Sequence, residues 1–412
     1  MTVTRFHWFV SYLQTMTLVP SHLHQHRQQF PSLQQGHYFN FGGQGPMPQV
    51  ALHAVQSAHE TFQQLGPFSG RANHWINQQT QAVRQAIANE LNIAPSTLTL
   101  TDSVTTGWNI ALWGLDWQRG DHLLISDCEH PGLIATVQEL QHRFGVEVSM
   151  CPLMDTLNAG DPTEVVRSHL QPNTRLLVVS HILWNTGQML PLESIVAACH
   201  GHRGNHGPVL VLVDAAQSVG VLPLELEALG ADFYTFTGHK WLCGPAGLGG
   251  LYMAAAVQDR VRPTFIGWRS VTKDSAGQPT GWQPGGARFE IATAAYTLYP
   301  GLTEAIACHN QWGSAAERYR RICDLSAYLW RGLQDMAQVR CLKTSEPEAG
   351  LVSFVVEPRS VPHSQIVALL EQQNIMVRTI LDPDCIRACV HYITTEAEID
   401  HLLTALGDAL SQ

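Results

Sequence analysis

The sequence is poor in charged residues. Lys, Arg, Asp and Glu make up 14% of the 412 residues, and the net charge is −10; about a quarter is usual for soluble proteins. It has no run of basic residues, so we expect no nucleic-acid partner. It also has no apolar run of about eighteen residues, the length that a membrane-spanning helix needs, so we expect no membrane partner.

Cysteine pairs at CxxC spacing are absent too. The nine cysteines are scattered and odd in number, which is typical of free thiols in a reducing compartment, so we expect a cytoplasmic protein. We interpret the histidines in 22–26 and 200–202 as loop or tail histidines and expect no metal site. Residues 1–30 lack the features of a signal peptide, and we interpret them as a poorly ordered extension.

Apolar runs alternate with helical patterns from residue 51 to 253, which predicts a doubly wound α/β domain. The predicted strands of this part are Leu98–Thr101, His122–Ser126, Glu147–Met150, Arg175–His181, Val209–Asp214, Phe233–Thr237 and Gly247–Met253.

The C-terminal part has a different pattern. A helical block covers about 294–336, and short strands are predicted at 351–356 and 375–379. Two stretches rich in glycine, proline and polar residues, 201–208 and 272–286, are predicted loops. The second is long enough for a functional role.

Lys240 is the most informative residue. It follows an apolar and aromatic strand, and a glycine-rich turn leads from it into a second apolar run. Aromatic neighbours leave the ammonium group poorly solvated and disfavour its charge. Such an amine can act as a neutral nucleophile and form a Schiff base. The alternative is a surface lysine that ends a strand.

Asp214 ends a run of five aliphatic residues that is typical of a buried parallel strand. Ligands of open α/β sheets bind beyond the carboxyl ends of the strands. The carboxylate is therefore either a helix cap or the partner of a cationic group. Beside a Schiff-base lysine, an aspartate that faces a pyridinium nitrogen is the expected arrangement.

The stretches 237–240 and 214–217 resemble the class V aminotransferase family. Its members are fold-type I enzymes that use pyridoxal 5'-phosphate (PLP), and they include the cysteine desulfurases. Further matching stretches are Tyr38–Gly45, Asp127–Gly132, Leu183–Gln188 and Asp382–Cys389. The resemblance runs from about Tyr38 to about Leu406. The last stretch is similar to the cystine-cleaving carbon–sulfur lyase branch, known from cyanobacteria.

The family fold implies two domains. A large PLP-binding domain with a mostly parallel seven-stranded sheet would cover residues 46–295. A smaller α+β domain would combine residues 31–45 with 296–412. The family also implies a homodimer.

The resemblance implies a PLP site. Lys240 would bind the cofactor, and His130 would stack on its pyridine ring. Both are expected to be catalytic residues. The further cofactor contacts implied are Asp214, Gln217, Thr105, Thr106, His239, Asn185 and, across the dimer interface, Thr293. From the residues alone, Thr105 and Thr106 are equally well explained as helix caps, although a helix N-terminus also binds phosphate.

Two arginines in apolar surroundings need anionic partners. By resemblance, Arg387 binds the substrate α-carboxylate as a bidentate fork, which leaves Arg378 free for a second carboxylate. An ion pair with Asp382 or Asp384 is the structural alternative. The resemblance adds Asn185 and Trp268 to the substrate site.

A cysteine-bearing loop, which desulfurases have between these two arginines, is shortened here to eight residues. Cys385 lies in this gap, and we interpret it as a buried small hydrophobe rather than a persulfide-forming nucleophile.

The predicted function is PLP-dependent β-elimination. Cystine or cysteine would give pyruvate, ammonia and a persulfide or sulfide, with an acceptor protein receiving the sulfur, for example for iron–sulfur cluster assembly. Two carboxylate-binding arginines favour cystine. The alternatives are a cysteine desulfurase that yields alanine, a racemase similar to isopenicillin epimerase, and a catalytically inactive relative.

Overall fold

The computed structural model describes residues 22–205, 207–358 and 361–411. Its strands, in chain order, are β1 (His37–Tyr38), β2 (Leu98–Thr101), β3 (His122–Ser126), β4 (Glu147–Cys151), β5 (Thr174–Ser180), β6 (Leu210–Asp214), β7 (Phe233–Thr237), β8 (Gly249–Met253), β9 (Val271–Lys273), β10 (Pro279–Trp282), β11 (Val339–Cys341), β12 (Leu351–Val356), β13 (Ile375–Met376), β14 (Arg378–Leu381) and β15 (Asp384–Cys389).

The helices are, in the same order, α1 (22–27), α2 (Gln49–Gln64), α3 (Gly70–Leu91), α4 (Val104–Gly114), α5 (Pro131–Phe144), α6 (Pro162–His169), α7 (Leu192–Gly201), α8 (Leu226–Leu229), α9 (Tyr299–Trp312), α10 (Ala315–Gln334), α11 (His363–Gln372) and α12 (Glu396–Leu410). In the part of the chain that the structure describes, no helix is long and apolar enough to span a membrane.

Seven strands form the large sheet, in the order β2–β8–β7–β6–β5–β3–β4. Strand β8 runs antiparallel to both its neighbours, and the other pairs are parallel. Every residue of β3, β6, β7 and β8 is buried, as expected where helices cover both faces of a sheet. The predicted α/β class with a mostly parallel seven-stranded sheet is confirmed.

The strand predictions for β2, β3 and β7 agree with the structure at both ends. The predicted start of β8 was two residues early, because Gly247 has φ +89° and belongs to the preceding turn. The predicted loop 272–286 was also incomplete. Strands β9 and β10 pair there as an exposed antiparallel hairpin.

A second sheet has the antiparallel order β11–β12–β15–β14. Separately, β1 pairs in parallel with β13. The predicted strand 375–379 is divided at Val377, because β13 pairs with β1 whereas β14 pairs with β15. These pairings support our proposal that residues 31–45 and 296–412 form a small domain beside a large domain of residues 46–295.

The N-terminal segment requires a correction. Residues 1–21 lie outside the described part, but residues 22–30 are folded and do not form a loose extension. His26 Nε2 lies 2.9 Å from the Tyr392 hydroxyl, and Arg27 forms a 2.9 Å ion pair with Glu398. Phe30 is fully buried. Residues 22–30 are mostly polar, so their composition did not indicate the few side chains that pack this segment on the C-terminal part.

We predict that Phe30→Ala destabilises the protein by about 3–5 kcal/mol, because it deletes a fully buried aromatic side chain and leaves a cavity. Gln28→Ala, at an exposed position two residues away, is the matched control and should change stability by less than about 0.5 kcal/mol. Urea unfolding followed by tryptophan fluorescence measures both. Equal unfolding midpoints for the two variants would contradict the docking of this segment.

Candidate active site

Five strand ends meet at one edge of the large sheet. Strands β3, β5, β6 and β7 are parallel, and β2 runs in the same direction because both β2 and β7 are antiparallel to β8. The ends of these strands and the chain directly after them carry every predicted cofactor residue except Thr293. This is the edge at which open α/β sheets bind ligands.

Asp214 is the last residue of β6 and is 6% exposed. Its Oδ1 accepts a hydrogen bond from the Ala216 amide (2.9 Å). Burial raises the pKa of this carboxyl, while that hydrogen bond and the nearby Lys240 and His130 lower it. The carboxylate is therefore held at the strand end and needs a cationic partner.

Lys240 lies in the loop between β7 and β8. Burial lowers the pKa of its amine to about 8; the Asp214 carboxylate opposes this shift, and Arg387 and Arg378 add to it. The structure thus brings together the four charged residues that the sequence assigned to cofactor and substrate. An amine with this pKa is available as a neutral nucleophile or base near neutral pH.

The backbone around Lys240 is fixed from several directions. The carbonyl of His239 accepts from the Gly45 amide (2.8 Å), and that of Lys240 from Cys243 (3.0 Å). The next two carbonyls accept from the Nε2 atoms of His391 (3.1 Å) and His309 (2.9 Å). A Cβ on Gly45 would lie 2.1 Å from the Lys240 carbonyl oxygen, so this position requires glycine.

His130 is the N-cap of α5, and its Nδ1 accepts from the Gly132 amide (3.2 Å). Its ring lies 6.3 Å from Trp108 and 5.9 Å from Trp184, measured between ring centroids. Burial lowers the pKa of the imidazole, and the nearby Asp214 opposes this. The site therefore has a flat, neutral ring held in one orientation, as a stacking role requires.

The N-terminus of α4 faces a cavity of about 310 Å³, whose lining includes Thr106, Gly247, Arg269 and Thr293. Ser103, rather than Thr105 or Thr106, is the helix cap; its Oγ accepts from the Thr106 amide (3.2 Å). A helix N-terminus and an arginine make this cavity suitable for an anion.

Three other residues bear on the prediction that this helix end binds phosphate. Asp102 also lines the cavity, and its carboxylate accepts from the hydroxyl of Thr106. Nothing in the sequence had assigned a role to it. Thr105 is exposed at the same helix end, and the His239 ring contacts the Thr237 hydroxyl (2.6 Å).

The two predicted amide donors are buried and already oriented. Gln217 donates to the Gly42 carbonyl (3.0 Å) and accepts from the Trp241 indole (2.8 Å). Asn185 donates to the Asp382 carbonyl (3.1 Å), while its Oδ1 is buried without a partner. Each side chain amide keeps one N–H for a ligand.

Arg378 and Arg387 are directly opposite each other in the β14–β15 pair. Opposed residues of an antiparallel pair project to the same face, so the two guanidinium groups share one side of the small sheet. Arg387 is 1% exposed; its Nη1 donates to the Trp184 carbonyl (2.5 Å), whereas Nε and Nη2 are buried without partners. Two like charges and two free donors require an anion.

The alternative ion pairs with Asp382 or Asp384 are not found among the described residues, where the Asp384 carboxylate contacts His363 (2.9 Å). Cys385 is fully buried, and burial raises the pKa of its thiol to about 12. Trp268 is 52% exposed and lies against the guanidinium of Arg269.

Besides Asp102, two further site residues escaped the sequence analysis. A Cβ on Gly42 would lie 3.0 Å from Arg387 Nη2 and 3.1 Å from Cys389 Sγ, so this glycine leaves room above the guanidinium. Glu129 is a buried carboxylate next to His130. The glycine-rich 42–45 stretch was a signal for the first, but burial of the second depends on distant residues. No cluster of three metal-ligating side chains occurs in the described ranges.

The family description "Aminotransferase class-V" matches residues 37–402. The chain therefore belongs to the class V aminotransferase family, as its motifs predicted. The fold and the site agree with this membership. The lysine, the buried aspartate and the two arginines that the motifs predicted lie in one region of the fold.

The chain is similar to solved structures of the cystine C–S lyase C-DES. A complex of C-DES with its reaction product cysteine persulfide has 54% identity, a TM-score of 0.91, and coverage of 92% of this chain and 99% of that one. A C-DES variant with glycine covalently linked to the PLP cofactor has the same identity and TM-score, with 93% and 99% coverage.

Curated relatives are more distant. Isopenicillin N epimerase of Streptomyces clavuligerus is 28% identical over 90% of this chain and 94% of its own length. A probable cysteine desulfurase of Vibrio cholerae is 29% identical over 85% and 87%.

We predict that Lys240→Met stabilises the cofactor-free protein at neutral pH. The pKa of Lys240 is lowered from 10.5 to about 8, so the folded state binds this proton more weakly than the unfolded chain does. The gain should be complete below about pH 8 and vanish as the pH rises through 10.5. Urea unfolding across this range measures it.

Lys273→Met, at an exposed position, is the control and should keep the pH dependence of the wild type. A gain for Lys240→Met that does not change with pH would mean that the amine is not destabilised by its surroundings.

Proposed function

We propose that this protein is a PLP-dependent carbon–sulfur lyase that cleaves cystine by β-elimination. The observation that carries the proposal is the pair of opposed arginines, Arg378 and Arg387, near the amine of Lys240. Cystine has an amino acid at each end of a disulfide, and therefore one carboxylate for each arginine. The likeness to the cystine C–S lyase C-DES supports this substrate.

The described residues fit PLP. Lys240 would bind its aldehyde, Asp214 its ring nitrogen, and His130 one face of the ring. The cavity that Thr106 and Thr293 of the same chain line, with the neighbouring Thr105 and His239, would accept its phosphate. The remaining N–H groups of Gln217 and Asn185 would serve its phenolic oxygen.

The bound cofactor would withdraw electrons from the substrate Cα and so make its proton acidic. Arg387 would hold the α-carboxylate through the unpartnered Nε and Nη2. Lys240 Nζ, once displaced from the aldehyde by the substrate amine, would be free to remove the Cα proton, and its burial disfavours the charged form. The Cβ–S bond breaks, and a persulfide leaves more readily than sulfide because its charge is better stabilised. Water converts the remaining fragment to pyruvate and ammonia.

We propose a homodimer as the active form. Large apolar side chains are exposed in one segment of the surface that also borders the anion cavity: Phe265, Ile266, Trp268, Trp282 and Ile291. Such a patch is typical of an interface, and Trp268 would lie in it. A cytoplasmic location agrees with nine free cysteines, and a thiol acceptor protein would receive the persulfide sulfur.

We predict that cystine gives pyruvate and ammonia in equal amounts together with cysteine persulfide, with no alanine. Cys385→Ala should keep this activity, because its thiol is fully buried with a raised pKa. Product quantification by chromatography and cyanolysis of the sulfane sulfur measures both. Lys240→Ala is the inactive control.

Other products would identify the alternatives. Alanine, with activity lost in Cys385→Ala, would indicate a cysteine desulfurase. Exchange of the Cα proton with the sulfur retained would indicate a racemase, the activity that the likeness to isopenicillin N epimerase raises.

We predict that Arg378→Gln lowers kcat/KM for cystine by about 10- to 100-fold, the worth of a charge-assisted hydrogen bond, and for cysteine by less than about threefold. Arg387→Gln should impair both substrates, because each has an α-carboxylate. Arg340→Gln, an exposed arginine on β11, is the matched control. Equal losses on the two substrates in Arg378→Gln would contradict the two-carboxylate site.

A further inference from the structure

A second buried carboxylate lies beside Asp214. Glu129 is 3% exposed, and its Oε1 accepts from Ser126 Oγ (2.6 Å) and from the Ser180 amide (2.7 Å). Its Oε2 accepts from Ser180 Oγ (2.8 Å). Ser180 is the register partner of Asp214 across β5 and β6. Glu129 is therefore fixed one strand away from the aspartate.

The Glu129 carboxylate has hydrogen-bond donors but no cationic partner among them. Its hydrogen-bond partners within the described residues are the two serines alone. Burial, followed by the like charge of Asp214, raises the pKa of Glu129 to about 7. Two neighbouring buried carboxylates favour a cation placed against them.

We propose that Glu129 is a positioning residue that acts through Asp214 to keep the ring nitrogen of bound PLP protonated. The inference rests on the proposed function, because it places the PLP ring against Asp214. The Glu129 carboxylate behind Asp214 makes the site more negative. The proton between the ring nitrogen and Asp214 is therefore held more strongly. A negative charge about this far from the proton site, at the effective dielectric of protein sites, raises the pKa of the ring nitrogen by about one unit or more. The equilibrium between the protonated and deprotonated ring then changes at least about tenfold.

Other titratable groups surround this pair of carboxylates. Burial raises the pKa values of the thiols of Cys128 and Cys151 and of the Tyr234 phenol, so these groups stay neutral. The groups that can carry charge near the pair are Asp127, His130 and Lys240. In the holoenzyme Lys240 would be bonded to the cofactor, which leaves Glu129 as the buried anion closest in the fold to Asp214.

Glu129→Gln removes the charge and keeps the contacts. The amide oxygen replaces Oε1, which accepts from Ser126 and the Ser180 amide. The amide nitrogen replaces Oε2 and donates to the Ser180 hydroxyl, which can accept as well as donate. Ser126→Ala is the complementary variant, because it keeps the charge and removes one contact.

The experiment uses the holoenzyme loaded with PLP that is labelled with ¹⁵N in the ring, and follows the ring-nitrogen chemical shift against pH. We expect the midpoint of deprotonation in Glu129→Gln to lie at least about one pH unit below that of the wild type. Ser126→Ala should stay near the wild type. Equal midpoints in Glu129→Gln and wild type, or an equal shift in Ser126→Ala, would overturn the proposal.

A second measurement needs no cofactor. In apoprotein with ¹³C-labelled glutamate, Asp214→Asn should lower the midpoint of Glu129 protonation from about 7, because a like charge is lost; an unchanged midpoint overturns the coupling. Both readouts are independent of turnover. A failure of the lyase reaction with cystine would therefore leave them measurable, and the two hypotheses can fail separately.

Discussion

Buried charge without a partner is the constraint on which this molecule depends. Arg387 is almost completely buried with two unpartnered donors, opposite Arg378. At the end of the large sheet, Asp214 is a buried carboxylate beside Glu129. Leaving such groups unpaired costs several kcal/mol, and the fold tolerates this where a ligand supplies the opposite charges. The site is thus cationic at the small sheet and anionic at the large one, which suits a carboxylate substrate on a pyridinium cofactor.

The frame that holds Lys240 between these ends is built from distant parts of the chain. Burial lowers the pKa of His309 well below its usual value and that of His391 to about 3, so both rings are neutral, and each donates its one proton through Nε2. With its Nε2 proton committed, His309 accepts at Nδ1 from the Tyr392 hydroxyl, which in turn lies 2.9 Å from His26. The folded N-terminal segment thereby supports the lysine loop through a chain of hydrogen bonds.

The sequence predicted what depends on local pattern. Asp214 and Lys240 were found because apolar runs end at the sheet edge, and those runs form the strands. Lysine occurs at only three positions of the chain, 240, 273 and 343, a signal that composition alone would have supplied. The register of β14 and β15 could not be predicted from the sequence. The sequence therefore did not show that Arg378 and Arg387 are opposite each other. The role of Glu129 depends on Ser180, 51 residues away, and no local pattern records that contact.

The register also explains where the sulfur goes. Cys385 is two residues before Arg387 on β15, so both side chains project to the same face. Yet Cys385 pairs with Ile380 and packs beneath Trp184, fully buried. Burial raises the pKa of the thiol to about 12, so no thiolate is available, and the short β14–β15 turn cannot carry it to a substrate. A nucleophilic thiol needs exposure and a low pKa. Sulfur that the Cys385 thiol cannot accept leaves with the product, which is the outcome expected when the scissile bond belongs to a disulfide.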